Sequence, residues 1–307
     1  MVHTFVILLN YHGSEDTKAC IDSLLTLTNA LTIVVVDNSN GLEEWETLKA
    51  YAKFVEVPFL SFEEGITSKF SNEKIVFIKA QKNRGFSAGN NIGISFALQQ
   101  KAASHLWILN NDTIVLQNTL TALIKQQQQQ PKTILGSKLL YFHDPKIIQA
   151  VGGVFNKRYY ISEHIGEGLS AETPKSELPK IDYPVGASIF VSRDFVETVG
   201  LLDENFFLYY EELDWVYRAK EKGYIVDWCE DSVVYHKEGA SIGSSYKKKK
   251  SYFSEVALFN SRQKFVKKHF GLNTMFYFAT LLLLINRLRK GQLKLVMTIF
   301  KNTIHGN

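Results

Sequence analysis

Asn110, Asn111 and Asp112 form a polar triplet directly after a short apolar run at residues 106–109. The run is too short for a helix and is typical of a buried strand. In open α/β sheets ligands bind beyond the carboxyl ends of the strands, so this triplet is a candidate site. A carboxylate beside amides suits a hard divalent cation that also binds a substrate's phosphates. The alternative is a turn whose side chains bond nearby backbone.

A second group of carboxylates follows a cluster of aromatic residues. Glu211, Glu212 and Asp214 lie within four residues, where a helix is predicted to begin. Acidic residues in a first turn also favour the helix dipole, which is a purely structural explanation. Aromatic surroundings, however, raise the pKa of a carboxyl and make it a usable general base near neutrality. Trp215 is predicted to share a helix face with Glu212.

A glycine-rich loop leads into another predicted helix. The stretch Asn83-Arg-Gly-Phe-Ser-Ala-Gly-Asn-Asn-Ile-Gly93 has three glycines spaced four apart, with Ser87 as the expected helix N-cap. Helix N-termini bind phosphate through free N–H groups, and Arg84 adds a cation. The alternative is that the glycines serve close helix–sheet packing.

Two further polar residues end predicted strands. Asp37 ends the strand at 31–36 and could bond a nucleotide's base or ribose, or form an Asx turn. Only Gly13 follows the first strand, so the glycine pattern of dinucleotide-binding proteins is absent. His236 ends a strand at 233–236, and a lone histidine is more often structural than a ligand.

The predicted elements alternate between strands and helices, which indicates an α/β fold with a mostly parallel sheet. Residues 185–191 form a small-residue strand, Gly186, Ala187 and Ser188 among them, against which a ligand could lie. Close packing of a helix explains these small side chains equally well. Residues 42–74 are predicted to be irregular apart from a helix at 42–54. We expect a single strand at 148–155, a surface loop over the site at 156–184, and a mobile loop with a basic tip at 239–251.

Composition limits the class of protein. The chain has 307 residues, 45% of them hydrophobic, and this is ample for a core. Two cysteines and no leader-like N-terminus predict a reducing compartment, and residues 5–9 are predicted to be a first strand. The net charge of +4 is uneven, because residues 246–307 hold 13 Lys or Arg and one acidic residue, Glu255. We therefore predict two units, 1–245 and a basic helical tail at 246–307.

The tail contains an apolar segment at 272–285 that is followed by Arg287, Arg289, Lys290 and Lys294. A spanning helix needs about 20 apolar residues, so this segment is too short to cross a membrane. Its composition favours a helix that lies on an anionic membrane surface. The alternatives are a helical hairpin packed on the body and a contact between two copies of the chain. No nucleic-acid partner is expected.

The combined motifs resemble those of the inverting glycosyltransferases of family 2, and especially the bacterial rhamnosyltransferase-like branch. The resemblance depends on Val34-Val-Val-Asp-Asn-Ser39, Asn83-Arg-Gly-Phe-Ser-Ala-Gly-Asn-Asn91, Leu109-Asn-Asn-Asp-Thr113, the stretch 203–218 with Gly223, and Val233-Val-Tyr-His236 with Gly239-Ala-Ser241. It implies the GT-A fold, a mixed and mostly parallel sheet with flanking helices.

The resemblance also implies residue roles. Asn10, Tyr11 and Asp37 would hold the nucleotide base, and Asp112 and His236 would bind Mg²⁺ or Mn²⁺. Glu212 would be the catalytic base. The remaining roles are diphosphate binding by Arg84, Gly85, Asn90 and Asn111, support of the base by Glu211 and Asp214, and substrate binding by Gly186, Ala187, Ser188 and Trp215. Two positions depart from the family pattern: Asn110 replaces the first Asp of its DxD motif, and Glu211-Glu212 replaces Glu-Asp.

The resemblance therefore implies transfer of a hexose, for instance rhamnose, from a dTDP- or UDP-sugar. The acceptor would be a hydroxyl of a saccharide or lipid-linked saccharide in a growing cell-surface glycan, at the inner face of the cell membrane. Two other classes stay open: a sugar nucleotidyltransferase and a non-catalytic, membrane-associated glycan-binding relative. The nucleotidyltransferase would need a glycine-rich loop with a lysine after the first strand, and residues 10–14 lack one.

Overall fold

The computed structural model describes residues 2–66, 70, 73–237 and 251–305. Apart from Ser251, the predicted loop at 239–251, including Gly239-Ala-Ser241, lies outside the described residues, as does the predicted boundary between 245 and 246.

The strands and helices follow one another as the sequence predicts for an α/β protein. The strands are β1 Thr4–Asn10, β2 Leu31–Asp37, β3 Phe59–Glu63, β4 Ile75–Lys79, β5 His105–Asn110, β6 Thr113–Val115, β7 Thr133–Tyr141, β8 Asp144–Ala150, β9 Gly152–Asn156, β10 Ile161–Ile165, β11 Ser188–Ser192 and β12 Ile225–His236. The helices are α1 Ser14–Leu25, α2 Glu43–Phe54, α3 Phe86–Gln99, α4 Thr119–Gln129, α5 Arg193–Val199, α6 Glu211–Glu221, α7 Tyr252–His269, α8 Thr274–Arg289 and α9 Leu293–His305.

A ten-stranded sheet forms the centre, in the order β3-β4-β2-β1-β5-β11-β7-β12-β6, with β8 paired to β7. The pairs from β3 to β5 and the pair of β7 with β12 are parallel, whereas β11, β6 and β8 are antiparallel to their neighbours. The predicted mixed, mostly parallel sheet is confirmed. The chain extends to one side of β1 through β2 and to the other through β5, so the strand order reverses there.

Strand β1 divides its side chains between the two faces of the sheet. Phe5 and Ile7 belong to the hydrophobic cluster on one face, whereas Val6 and Leu8 belong to the cluster on the other. Helices α3, α5, α6 and α7 contribute to the first cluster, and α1, α2 and α4 to the second. Because both faces are covered, the central strands consist of nearly continuous apolar residues.

The predicted glycine loop packs closely against the sheet and against another loop. Added Cβ atoms at Gly89 and Gly93 would lie 2.4 Å from Leu9 and 2.6 Å from Ile7, so both glycines serve helix–sheet packing. Helix α3 begins at Phe86 and no side chain caps it. The expected N-cap role of Ser87 is therefore wrong.

Three expectations about the irregular regions are also corrected. Residues 42–74 contain the parallel edge strand β3, whose half-exposed side chains give little hydrophobic signal. The single strand expected at 148–155 is two strands, because the chain turns at Val151 and pairs β8 with β7 but β9 with β10. The loop expected at 156–184 contains β10 and a short 3-10 helix, Lys175–Glu177.

The first helix after the undescribed loop is part of the main core. Phe265 and Val266 of α7 are fully buried in the same cluster as α3, α5 and α6. Arg262 of α7 is also buried, and its guanidinium donates to the carbonyls of Tyr159 and Tyr160 at 3.1 and 2.9 Å and to Thr280 of α8 at 2.8 Å. Helix α7 is therefore held by both apolar contacts and hydrogen bonds. No helix among the described residues is long and apolar enough to cross a membrane.

Candidate active site

A cavity of about 460 Å³ lies beyond the carboxyl ends of β1 and β5, where the strand order reverses. Most of the predicted site residues line it. They are Tyr11, Gly85, Asn111, Asp112, Gly186, Ala187, Glu211, Glu212 and His236. The position agrees with the general rule that ligands of open α/β sheets bind at this point.

Buried hydrogen bonds beneath the cavity connect the ends of three strands. Asn10 donates to Asp37 at 3.0 Å and accepts a bond from the Thr17 hydroxyl at 2.9 Å. Asn111, which lines the cavity, donates to the same hydroxyl at 2.9 Å. These bonds fix Asn111 relative to β1 and β2, so Asn10 contributes by orienting a residue that faces the cavity.

Asp37 is fully buried below the cavity and does not line it. Its carboxylate accepts bonds from the Ser39 N–H at 3.1 Å and from Lys79 at 2.8 Å. The bond to Ser39 is the Asx turn considered above. Direct contact with a nucleotide would require Asp37 to leave these partners.

Asp112 and His236 meet at one wall of the cavity. His236 Nε2 lies 3.1 Å from Asp112 Oδ1, and Nδ1 lies 2.7 Å from Gln149 Oε1. The imidazole is thus held between Gln149 at Nδ1 and Asp112 at Nε2. A metal-binding histidine typically has such a partner on its other nitrogen.

This donor set fits a cation that completes its shell with substrate. No three His, Cys, Asp or Glu side chains converge on a possible metal position within the described ranges. One carboxylate and one imidazole would leave several positions for water and phosphate oxygens, as Mg²⁺ and Mn²⁺ sites in phosphate-transferring enzymes do. Asp112 and His236 therefore fit a cation bound together with a diphosphate.

Glu211 and Glu212 lie side by side in the first turn of α6 and line the same cavity. Burial raises the pKa of Glu212 to about 7, against the hydrogen bonds of its own N–H and that of Leu213. Burial and the neighbouring Glu212 raise the pKa of Glu211 well above its ordinary value. One buried oxygen of each carboxyl has no hydrogen-bond partner among the described residues. Near neutrality the pair therefore combines a partly ionised Glu212 with a protonated Glu211.

The backbone that presents this pair is strained. Tyr209 and Tyr210, directly before Glu211, have φ values of 69° and 68°, which residues other than glycine rarely adopt. The Tyr210 hydroxyl donates to the Tyr160 carbonyl at 3.1 Å, and Ser261 of α7 donates to the Leu208 carbonyl at 2.7 Å. Such strain persists only where surrounding contacts hold it, and it is concentrated at functional sites.

Gly85 links the glycine loop to the same segment. Its φ is +95°, and an added Cβ would lie 2.3 Å from the Phe207 carbonyl oxygen. The next N–H, of Phe86, donates to that oxygen at 2.7 Å. The first N–H of α3 is thus bonded to protein, and Gly85 serves contact between two loops that border the cavity.

Several predicted site residues do not line the cavity. Asp214 is fully buried on the other side of α6, where it bonds Arg218, Lys268 and His269. Trp215 is also fully buried and donates to the Gly200 carbonyl at 2.8 Å. Substrate contact by Trp215 is therefore wrong, because its side chain points into packed protein, whereas Asp214 can support Glu212 only through the bonds that hold α6.

The same holds for three polar residues near the cavity. Ser188 Oγ is buried and bonds Trp107 and Ser137. Asn90 is buried and donates to the Phe86 carbonyl at 3.0 Å. Arg84 forms ion pairs with Glu64 and Glu204 outside the cavity. None of these three side chains lines the cavity.

Other lining residues were not predicted from the sequence. They are Leu9, Asn38, Asn83, Ser162, His164, Tyr183, Val185, Phe207, Tyr209 and Tyr210, with Phe86, Leu208, Leu213, Phe253 and Leu258, whereas Asn110 of the predicted triplet also lines the cavity. Ser162 and His164 belong to β10, so the region at 156–184 does border the site as expected. Gly153 lets Tyr183 approach, because an added Cβ would lie 2.2 Å from its ring. The glycine pair at 152–153 is the one sequence signal that could have indicated this close contact.

Comparison with known proteins agrees with the fold. The family model described as glycosyl transferase family 2 matches residues 5–200, which is more than half of the chain. The chain therefore belongs to glycosyl transferase family 2.

Two relatives of known annotation are similar over part of their length. The low-salt glycan biosynthesis hexosyltransferase Agl10 of Haloferax volcanii is 26% identical over 231 residues, which cover 73% of this chain and 64% of the relative. The dTDP-rhamnosyl transferase RfbF of Shigella flexneri is 23% identical over 167 residues, which cover 54% of this chain and 53% of the relative. The similarity thus spans less than two thirds of either relative.

Two solved structures share the architecture. GalNAc-T7 with UDP, GalNAc and Mn²⁺ superposes with a TM-score of 0.63 at 17% identity, covering 87% of this chain and 48% of that one. The mannosyltransferase PcManGT of Pyrobaculum calidifontis, in complex with GDP-Man and Mn²⁺, gives 0.56 at 10% identity, covering 99% and 75%. The chain has the GT-A fold.

Proposed function

We propose that this protein transfers a hexose from a nucleoside diphosphate sugar to a hydroxyl of a glycan with inversion at the anomeric carbon. The observation that carries the proposal is that Glu211 and Glu212 line the same cavity as Asp112 and His236. Family membership supports the reaction class.

Glu212 is the general base in this proposal. Its carboxylate takes the proton of the acceptor hydroxyl while the hydroxyl oxygen forms a bond to the anomeric carbon. The bond between that carbon and the diphosphate oxygen breaks on the opposite side, and its electron pair leaves with the diphosphate. A pKa raised to about 7 gives a base that is ionised at neutral pH and still strong enough to take the proton.

Asp112 and His236 would hold Mg²⁺ or Mn²⁺, and the cation would neutralise the charge of the diphosphate. Asn110, in place of an aspartate, adds no charge to this wall, and its amide lies 3.4 Å from His236 Nε2. The site therefore offers one formal negative charge to the metal and leaves the remaining ligands to the substrate.

The donor in our proposal is a UDP- or dTDP-sugar, rhamnose included. The relatives described as hexosyltransferase and dTDP-rhamnosyl transferase support this choice, as does the UDP in one structural neighbour. The acceptor is a saccharide, free or lipid-linked, of a cell-surface glycan. We place the reaction at the inner face of the cell membrane, in keeping with the basic C-terminal region.

Glu212→Gln tests the proposal directly. With Mn²⁺ and a panel of UDP- and dTDP-sugars, we expect the native chain to release nucleoside diphosphate, and the variant to do so at least about 100-fold more slowly. The control is Glu221→Gln, which changes an exposed residue of the same helix and should retain full activity. Metal-dependent binding of a nucleotide without turnover of any sugar would instead favour the non-catalytic relative.

A further inference from the structure

Helix α8 exposes an apolar stripe on the side opposite to its contacts with the protein. Its buried residues include Phe276, Ala279 and Leu284. The exposed apolar residues recur at helical spacing and are Phe278, Leu281, Leu282, Ile285 and Leu288, each 37–53% exposed. Large side chains at such spacing form a continuous face of a helix.

Helix α9 repeats this arrangement. Leu295 and Ile299 are buried in a cluster with Phe259 of α7 and Leu284 of α8. The outward residues, spaced by three or four, are Leu293, Met297, Phe300 and Ile304, each 57–64% exposed. The exposed residues of both helices thus lie on the helix faces opposite to the buried residues Leu284, Leu295 and Ile299. Soluble monomers rarely expose a contiguous apolar area of this kind without a partner.

The charges beside these stripes are of one sign. Arg289, Lys290, Lys294 and Lys301 are all exposed, and residues 274–305 include no Asp or Glu. The one acidic residue of α7, Glu255, is buried and paired with Arg287 at 2.8 Å. The surface formed by α8 and α9 is therefore apolar and cationic.

We propose that the exposed faces of α8 and α9 dock on an anionic lipid bilayer, with the apolar stripes in the acyl region and the basic side chains at the headgroups. The apolar residues match the acyl region of a bilayer interface and the basic residues match its anionic headgroups, so both helices would lie in the plane of that interface. A second copy of the chain is a poorer partner, because a symmetric contact would bring identical cationic residues together.

The docked surface adjoins the cavity through the first turn of α7. Phe253 lines the cavity and its ring lies 5.8 Å from that of Phe207, and both side chains are partly exposed. The preceding residue, Tyr252, bonds Thr298 of α9 at 2.7 Å. The cavity border at Phe253 thus directly follows, along the chain, a residue that bonds α9. If the proposed transferase function holds, this arrangement selects a lipid-linked saccharide as the acceptor.

The test is sedimentation of the full-length protein with vesicles of phosphatidylglycerol and phosphatidylcholine, compared with vesicles of phosphatidylcholine alone. The test variant is the double substitution Phe278→Glu and Leu281→Glu. The matched control is Leu42→Glu with Phe54→Glu, since these residues are 61% and 84% exposed on the distant helix α2. We expect anionic vesicles to bind the native chain and the control, and affinity of the test variant to fall at least about tenfold.

Equal binding by test and control variants would overturn the proposal. So would a native chain that ignores vesicles but forms a dimer that Phe278→Glu and Leu281→Glu disrupt, because the face would then be a contact between copies. Nucleotide-sugar hydrolysis without vesicles separates this inference from the transferase proposal. It should be unchanged in the test variant, and its absence from the native chain would contradict the proposed function without affecting the docking surface.

Discussion

Glu211 and Glu212 are adjacent in the chain yet have different surroundings. Glu211 is 5% exposed, and a Cβ atom added to Gly186 would lie 4.0 Å from its Oε1. Glu212 is more exposed to the cavity. Because each carboxylate disfavours ionisation of the other, one proton stays on the pair over a wide pH range. Glu212 is the carboxyl that is better placed to exchange its proton with an acceptor.

The pH dependence of turnover should report this protonation. Below pH 7 Glu212 is mostly protonated and cannot accept a proton, so we expect kcat/KM to rise with pH and to level off above about 8. The measurement is nucleotide-sugar turnover between pH 5 and 9 at saturating Mn²⁺. A rate that is already constant from pH 5 upward would show that the base has an ordinary carboxyl pKa.

The free energy of unfolding should fall as pH rises and Glu211 ionises, whereas turnover should rise over the same pH range. Its pKa is raised in the folded state, so its contribution to stability is complete below the unfolded pKa and is lost as pH rises through the folded pKa. Glu211→Gln removes this loss. We expect the variant to melt at a higher temperature than the native chain at pH 8, with little difference at pH 4.5. Each unit of pKa shift corresponds to about 1.4 kcal/mol.

Calorimetry at both pH values checks this expectation, with Glu221→Gln as an exposed control on the same helix. The same change in melting temperature at pH 4.5 and pH 8 would mean that Glu211 acts through packing and not through its charge.

The start of α6 depends on elements far apart in sequence. The strained pair Tyr209 and Tyr210 is held by Tyr160, by Ser261 of α7 and, across the cavity, by the close approach of Gly85 to Phe207. Helix α7 adds Lys268 and His269, which bond Asp214. The pair of Glu211 and Glu212 is thus positioned by the loop before α3 and by α7 as much as by its own helix.

Gly85→Ala should weaken this arrangement more than an ordinary glycine substitution does. Both Gly85 and Gly41 have positive φ, so alanine is strained at either position, and the combination of φ 95° and ψ −172° at Gly85 is one that essentially only glycine adopts. Only Gly85 also meets a backbone oxygen at 2.3 Å, whereas nothing lies within 4 Å of a Cβ at Gly41. Urea denaturation measures the free energy of unfolding, and we expect Gly85→Ala to lower it by at least about 2 kcal/mol more than Gly41→Ala does. Equal losses would show that the two loops separate easily.

Sequence reasoning located most elements because their hydrophobic pattern is local. The strands β1, β2 and β5 are buried on both faces, and the helix predicted at 42–54 differs from α2 by one residue. The predicted residues Asp112, Glu212 and His236 do meet in one cavity. The direction of Trp215 and Asp214 could not be predicted, because it depends on which side of α6 faces α7.

Gln149 and Tyr160 illustrate the other limit of the sequence. Gln149 orients His236 from 87 residues away, and Tyr160 receives bonds from residues 50 and 102 positions later. Neither residue belongs to a motif with a characteristic spacing. Gln149 meets His236 through the pairing order of β8, β7 and β12 in the sheet, and Tyr160 meets α7 through the turn between β9 and β10, and neither contact has a local signature in the chain.

On the scale of the whole molecule, the C-terminal helices divide into a core part and a surface part. Phe265 and Val266 of α7 and Phe276 of α8 are buried with the central sheet. The contacts of α9 are confined to a small cluster with α7 and α8. The basic C-terminal residues are therefore not a separate folding unit as a whole. Helix α7 and the start of α8 belong to the main core, and α9 lies at its surface.

Two truncations should reveal this division. Ending the chain after residue 250 removes Phe265 and Phe276, and loss of a buried phenylalanine side chain costs roughly 3–5 kcal/mol. Two such losses approach the whole stability of a typical domain, so we expect residues 1–250 not to fold. Ending the chain after Lys290 removes only α9 and should leave a protein that melts cooperatively at a lower temperature. Circular dichroism during heating distinguishes the two, and cooperative melting of residues 1–250 would show instead that α7 is an appendage of an independently stable domain.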